Sequence, residues 1–70
     1  MDPQARGLVR QADTDYRAGR FEQAEATYRQ AAILAPESSQ IAAQLGAIAL
    51  LGNRSAEAVA LLQQAIELAP

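Results

Sequence analysis

The chain has 70 residues and a formal net charge of −2; half its residues are apolar, alanine above all, with one Phe, two Tyr and no Trp. It has no Cys and no His, which excludes disulfides, thiolate chemistry and the commonest metal ligand and neutral-pH proton shuttle. A slight negative charge gives no broad attraction to nucleic acid or an anionic membrane.

Punctuation in the chain marks out four helices and no strand. The first is expected from Pro3 to Ala18: Pro3 suits a first turn, Asp2 can cap it, and Gly19 closes it. The second is expected from Phe21 to Leu34, stopped at Ala35-Pro36 because proline lacks the N–H that a helix interior needs. Either Ser38 or Ser39 can cap the third, which runs to Leu51 before Gly52-Asn53. The fourth starts near Ser55, read as its cap, and runs to Leu68. Links this short force consecutive helices into antiparallel pairs.

Sliding the chain by 34 residues sets Arg20, Ala24, Ala26, Gln30, Ala31, Leu34, Ala35 and Pro36 over Arg54, Ala58, Ala60, Gln64, Ala65, Leu68, Ala69 and Pro70. Eight of seventeen positions in that half are identical, whereas residues 5–19 against 39–53 share none. Ala12 over Gly46 and Gly19 over Asn53 are nevertheless similar pairs. Small residues at positions 12, 24, 46 and 58 let helix backbones approach closely, and Tyr28, Leu34, Leu62 and Leu68 are the large side chains that fill the remaining space.

With Leu8, Ala12, Tyr16, Gly19, Phe21, Ala24, Tyr28, Ala31 and Pro36 in one copy, and Leu45, Gly46, Leu50, Asn53, Ala58, Leu62, Ala65 and Pro70 in the other, the chain resembles the tetratricopeptide repeat. It departs from that pattern at Leu8 and Ala42, where the family has Trp, at Gln11, where it has Leu, and at Ser55, which stands where Phe21 stands in the first copy. The resemblance implies an all-α, α-α superhelical fold: a single domain over 1–70, with repeats 5–38 and 39–70, either whole or a piece of a longer protein. It also implies a binding module, in which the first helix of each repeat lines a concave groove for a protein or peptide. The residues placed there are Arg6, Arg10, Asp13, Tyr16, Arg17, Gln40, Gln44, Ala47 and Leu51.

The side chains give their own reading of that surface. All six basic residues are Arg, five of them in the first repeat, and Arg6, Arg10, Asp13 and Arg17 recur at three- and four-residue steps on one helix face. Guanidinium forks suit carboxylate or phosphate, and Asp13 is available to Arg10 or Arg17 when no ligand is bound. The plainer alternative is a solubilising face of weak ion pairs. Val9 and Asp13 in the first copy, and Ala43, Gln44 and Ala47 in the second, depart from the set with which some family members clamp an acidic C-terminus, so such a clamp is not expected.

Residues Ile41 to Leu51 carry no charge, so this third helix must be covered or must present apolar surface through Ala43, Ala47, Leu50 and Leu51. Repeat arrays end on a polar cap; here Leu62, Ala65 and Ile66 are expected to meet a second copy or further chain. The carboxylates Asp2, Asp13, Asp15, Glu22, Glu25, Glu37, Glu57 and Glu67 form no acid–base pair, Asp13 and Asp15 falling on different faces, and no glycine loop can cradle a phosphate. No enzymatic activity, cofactor or metal is expected. No apolar run approaches the ~20 residues of a membrane span, and Met1-Asp2-Pro3-Gln4 does not begin a secretory signal; these features assign no compartment, and slightly favour the cytoplasm. The alternative function is architectural: repeats that self-associate or space other domains.

Overall fold

The computed structural model describes residues 1–69; Pro70, set over Pro36 by the repeat register, lies outside the described residues. The protein is all-α: α1 (Pro3–Arg17), α2 (Phe21–Leu34), α3 (Ser39–Leu51) and α4 (Ser55–Leu68), with no strand among the described residues. Helix α1 packs on α2 and α3 on α4, which makes two helical hairpins. The chain divides between Pro36 and Glu37 into two compact units, one hairpin in each. That division falls just ahead of the Ser38–Ser39 boundary read from the repeat.

Local chemistry fixes the helix ends. Asp2 Oδ1 accepts the Gln4 N–H at 2.8 Å, with Pro3 opening α1 behind it. Of the two serines ahead of α3, Ser38 is the cap: its Oγ accepts the Ile41 N–H at 3.3 Å. Helix α1 ends one residue earlier than expected, at Arg17, with Ala18 as its C-cap. Gly19 follows in the left-handed region at φ +82°. Its N–H is donated to the Tyr16 carbonyl (3.0 Å), and that of Arg20 to the Asp15 carbonyl (2.8 Å). These two bonds form a Schellman closure.

Helix α3 ends in the same way. Asn53 takes the left-handed place at φ 60°, with Asn53 N–H to Leu50 O at 3.1 Å and Arg54 N–H to Ala49 O at 2.8 Å. The backbone therefore repeats at 19 and 53 although the side chains differ, and it repeats as well at pairs where they agree. Arg20 and Arg54 are near-identical (φ −86°, ψ 70° and φ −99°, ψ 68°), as are Ala35 and Ala69 (φ −137°, ψ 67° and φ −137°, ψ 72°). One expectation is corrected: Ser55 is the first residue of α4 and not its cap. The N-cap is Arg54, which makes no side-chain cap bond, and Arg20 does the same for α2. The Schellman turn already commits the Arg54 N–H to Ala49, so the left-handed residue, not a serine oxygen, sets where α4 starts.

The two left-handed positions make a matched test. An L side chain in this region costs roughly 1–2 kcal/mol, so Gly19→Ala is expected to destabilise by about that amount and Asn53→Gly to stabilise by a few tenths to about 1 kcal/mol. Urea midpoints followed by circular dichroism measure both; a Gly19→Ala protein as stable as its parent contradicts the turn geometry.

The interior of the first hairpin is built from small residues around one large one. Ala5, Val9 and Ala12 of α1 and Ala24, Tyr28 and Ala31 of α2 are buried, and Tyr28 is the largest of them, fully enclosed. In the second hairpin α3 buries Ile41, Ala42, Leu45, Gly46, Ile48 and Ala49, and α4 buries Ala58. A Cβ on Gly46 would stand 2.9 Å from Leu62 Cγ and 3.5 Å from the Ala58 carbonyl oxygen. The hydrogen in place of a side chain at position 46 is what allows α3 and α4 to pack this closely.

Candidate functional site

Helix α1 carries the charged face expected of it. At 100° per residue, Ala5, Val9 and Ala12 point one way, and Arg6, Arg10 and Arg17 cluster roughly a third of a turn round the helix. All three arginines are exposed. The chain's other arginines have carboxylates: Arg20 Nε on Asp15 Oδ1 at 2.9 Å, Arg29 on Glu25 at 3.1 Å and Arg54 on Glu57 at 3.0 Å. Among the described residues, Arg6, Arg10 and Arg17 have no ion pair.

Asp13 departs from expectation. Its carboxylate is taken neither by Arg10 nor by Arg17; the Tyr28 hydroxyl donates a hydrogen bond to Asp13 Oδ1 across the hairpin. Helix geometry gives the reason. Of the four stripe residues, Asp13 lies nearest the buried face, and it is half-buried where the arginines are exposed. From there its short side chain reaches α2 and not along α1. Tyr28 was read from sequence as a space-filling residue; its second role as a donor escaped that reading, although the position of Asp13 at the inner margin of the stripe was a usable signal. Asp15, two residues on, turns to Arg20, so the two aspartates are engaged on separate sides.

Burial raises the Tyr28 phenol well above its ordinary pKa, and the hydrogen bond to Asp13 and the charge of that carboxylate raise it further. A group whose folded-state pKa is raised gives its full stability below the unfolded value, about 10 for tyrosine, and loses it as pH climbs toward the folded value. Stability is therefore expected to fall above about pH 10, by no more than about 1.4 kcal/mol per pH unit from this one group. Tyr28→Phe should remove that part of the alkaline slope; an unchanged slope in chemical denaturation between pH 9 and 11 contradicts the assignment.

Tyr16, also placed on the binding face, is half-buried and set edge-on to Phe21, ring centroids 5.4 Å apart, across the α1–α2 turn. Its ring contributes to closing the hairpin. An open depression beside it is lined by Gly19, Arg20, Phe21, Glu22 and Gln23.

The second hairpin carries the register equivalents on α3. Gln40 and Leu51 are exposed, and Gln44 and Ala47 half-buried, on the face left open between the buried ones. Stripe position by stripe position, Arg6, Arg10, Asp13 and Arg17 become Gln40, Gln44, Ala47 and Leu51. The same face is ionic on α1 and uncharged on α3. Leu50 and Leu51 are both more than half exposed. On α4, Ile66 is 67% exposed and Val59 53%, and Ala65 is half-buried. Leu62, half-buried, lies over Gly46 of its own hairpin. Position 62 repeats position 28, and both side chains turn inward on their hairpins.

Among the described residues no three His, Cys, Asp or Glu side chains group as metal ligands, and no helix is long and apolar enough to cross a membrane. Comparison with protein-family models, with curated proteins and with solved structures returns no match.

Proposed function

We propose that the chain is a protein-interaction module of the tetratricopeptide type, in which each hairpin offers the open face of its first helix to a partner protein. The observation that carries this is the surface of α1: three exposed arginines on one line, without counter-ions among the described residues, while every other arginine in the chain is paired with a carboxylate. Unpaired guanidinium groups repel one another along a helix, so their alignment makes sense as a surface completed by something else. The 34-residue recurrence of the Schellman turns and of the backbone at positions 20/54 and 35/69 supports the repeat reading, and exposed Leu51 with Gln40 gives α3 a face for uncharged partner residues.

Selection from a displayed peptide library on the immobilised chain tests the proposal. Arg10→Glu with Arg17→Glu is expected to abolish capture of the selected peptides and leave helicity and molecular mass unchanged. Undiminished capture by that double variant removes the α1 face from the reading.

A second reading has its own observation. Val59 and Ile66, seven residues apart on α4, are both exposed, as suits repeats that associate with further copies. Ile66→Ser with Val59→Ser then lowers the mass measured by sedimentation at high concentration without touching peptide capture. A parent chain monomeric at every concentration removes this alternative.

A further inference from the structure

The unpaired stripe on α1 also says what its occupant is made of. Resting on the interaction-module reading above, we infer that Arg6, Arg10 and Arg17 recognise an acidic peptide segment, its carboxylates taking the places that Asp15, Glu25 and Glu57 take for the other arginines.

Three observations on the first hairpin point to carboxylate. Asp13, the one acid on the stripe, is the natural internal competitor for Arg10 and Arg17, three residues after one and four before the other. The Tyr28 hydroxyl engages it from α2, which leaves both guanidinium groups without an ion pair among the described residues. Second, of the apolar residues of α1, Ala5, Val9 and Ala12 are buried in the hairpin, and half-buried Leu8 lies on the opposite side of the helix from the arginines. The arginines therefore have no exposed apolar flank beside them, as a helix lying in a lipid surface needs. Third, the ring of Tyr16 is turned edge-on to Phe21, and no other aromatic residue lies on α1; a chain of net charge −2 with no stacking platform is a poor match for a polyphosphate strand.

The spacing sets the length of the segment. At 1.5 Å of rise per residue, Arg6 and Arg10 are about 6 Å apart along the axis, and Arg10 and Arg17 about 10 Å. Side chains of an extended strand alternate between its two faces, so acids at its first, third and fifth positions, about 13 Å end to end at about 3.3 Å per residue, share one face and come within reach of the long arginine side chains.

The test is fluorescence anisotropy of the full chain with a labelled peptide carrying Glu at those three positions and neutral residues elsewhere, beside its Gln counterpart, an oligothymidylate and anionic phospholipid vesicles. The Glu peptide is expected to bind, and to weaken steeply toward ~1 M salt, where charges are screened beyond about 3 Å. The Gln peptide is expected not to bind. Arg6→Gln, Arg10→Gln and Arg17→Gln together should lower affinity about tenfold or more, since each exposed ion pair contributes a few-fold. Glutamine keeps helix propensity at these exposed positions, and circular dichroism checks that the variant is folded. The matching Lys variant should retain part of the affinity, and Arg29→Gln, on α2, all of it.

Equal binding of the Glu peptide by the triple Gln variant overturns the inference. So does Arg-dependent binding of oligothymidylate or vesicles in place of the peptide, and so does Arg-dependent self-association. If neutral peptides bind and the Glu peptide does not, the acidic assignment falls and the interaction module stands; if no peptide binds, both fall.

Discussion

Tyr28→Ala is expected to cost about 3–5 kcal/mol, the range for emptying the space of a large aromatic side chain from a packed interior. Tyr28 is fully enclosed and is the largest buried residue of the first hairpin, whose other buried positions are Ala5, Val9, Ala12, Ala24, Ala31 and Ala35. Alanine has no atoms to move into the cavity, and the two helices can only close it by shifting together. Domains of this size have a thin margin of stability, with totals of about 5–15 kcal/mol at best. The variant should therefore be largely unfolded at 37 °C, visible as lost ellipticity and a collapsed urea midpoint. Tyr28→Phe keeps the ring and removes only the donor to Asp13, with an expected cost of about 1–2 kcal/mol. A double-mutant cycle with Asp13→Asn isolates the hydrogen bond from the packing. A Tyr28→Ala chain with an unchanged midpoint would mean that α1 and α2 do not pack around this ring.

Gly46→Val should produce the largest loss in the second hairpin. Even a methyl group there stands 2.9 Å from Leu62 Cγ, closer than carbon atoms pack, and a branched side chain brings more atoms into the same narrow gap. Forcing the helices apart costs about 1–3 kcal/mol, against which the helix propensity gained on replacing glycine returns no more than about 1 kcal/mol. Because the obstacle is one side chain, Leu62→Ala in the Gly46→Val background should recover part of the midpoint, although Leu62→Ala alone lowers it. Absence of that rescue would place the clash in the backbone and not in Leu62.

Both variants probe positions that the repeat pattern had marked. Positions 12 and 46, and 28 and 62, are register partners, and the pattern required small residues at the first pair and large ones at the second. It did not require Tyr at 28 or Leu at 62, and here the two hairpins diverge: one joins its large residue to an aspartate across the helices, the other sets it over a glycine. The ionic stripe diverges in the same way, charged on α1 and uncharged on α3.

The amino-acid sequence by itself determined the four helices, most of their ends and the close-packed small residues. These depend on interactions spanning a few residues: Asp2 and Ser38 at caps, Gly19 and Asn53 in the left-handed turn, and the proline that stops α2. Only the tertiary structure decided that Asp13 belongs to Tyr28 and not to its arginine neighbours, and that Leu62 turns in over Gly46. Each of those outcomes depends on how one helix is rotated against the next, which brings together side chains fifteen or sixteen residues apart in sequence. Helical spacing places a residue on a face of its own helix; packing across the hairpin selects what that residue meets.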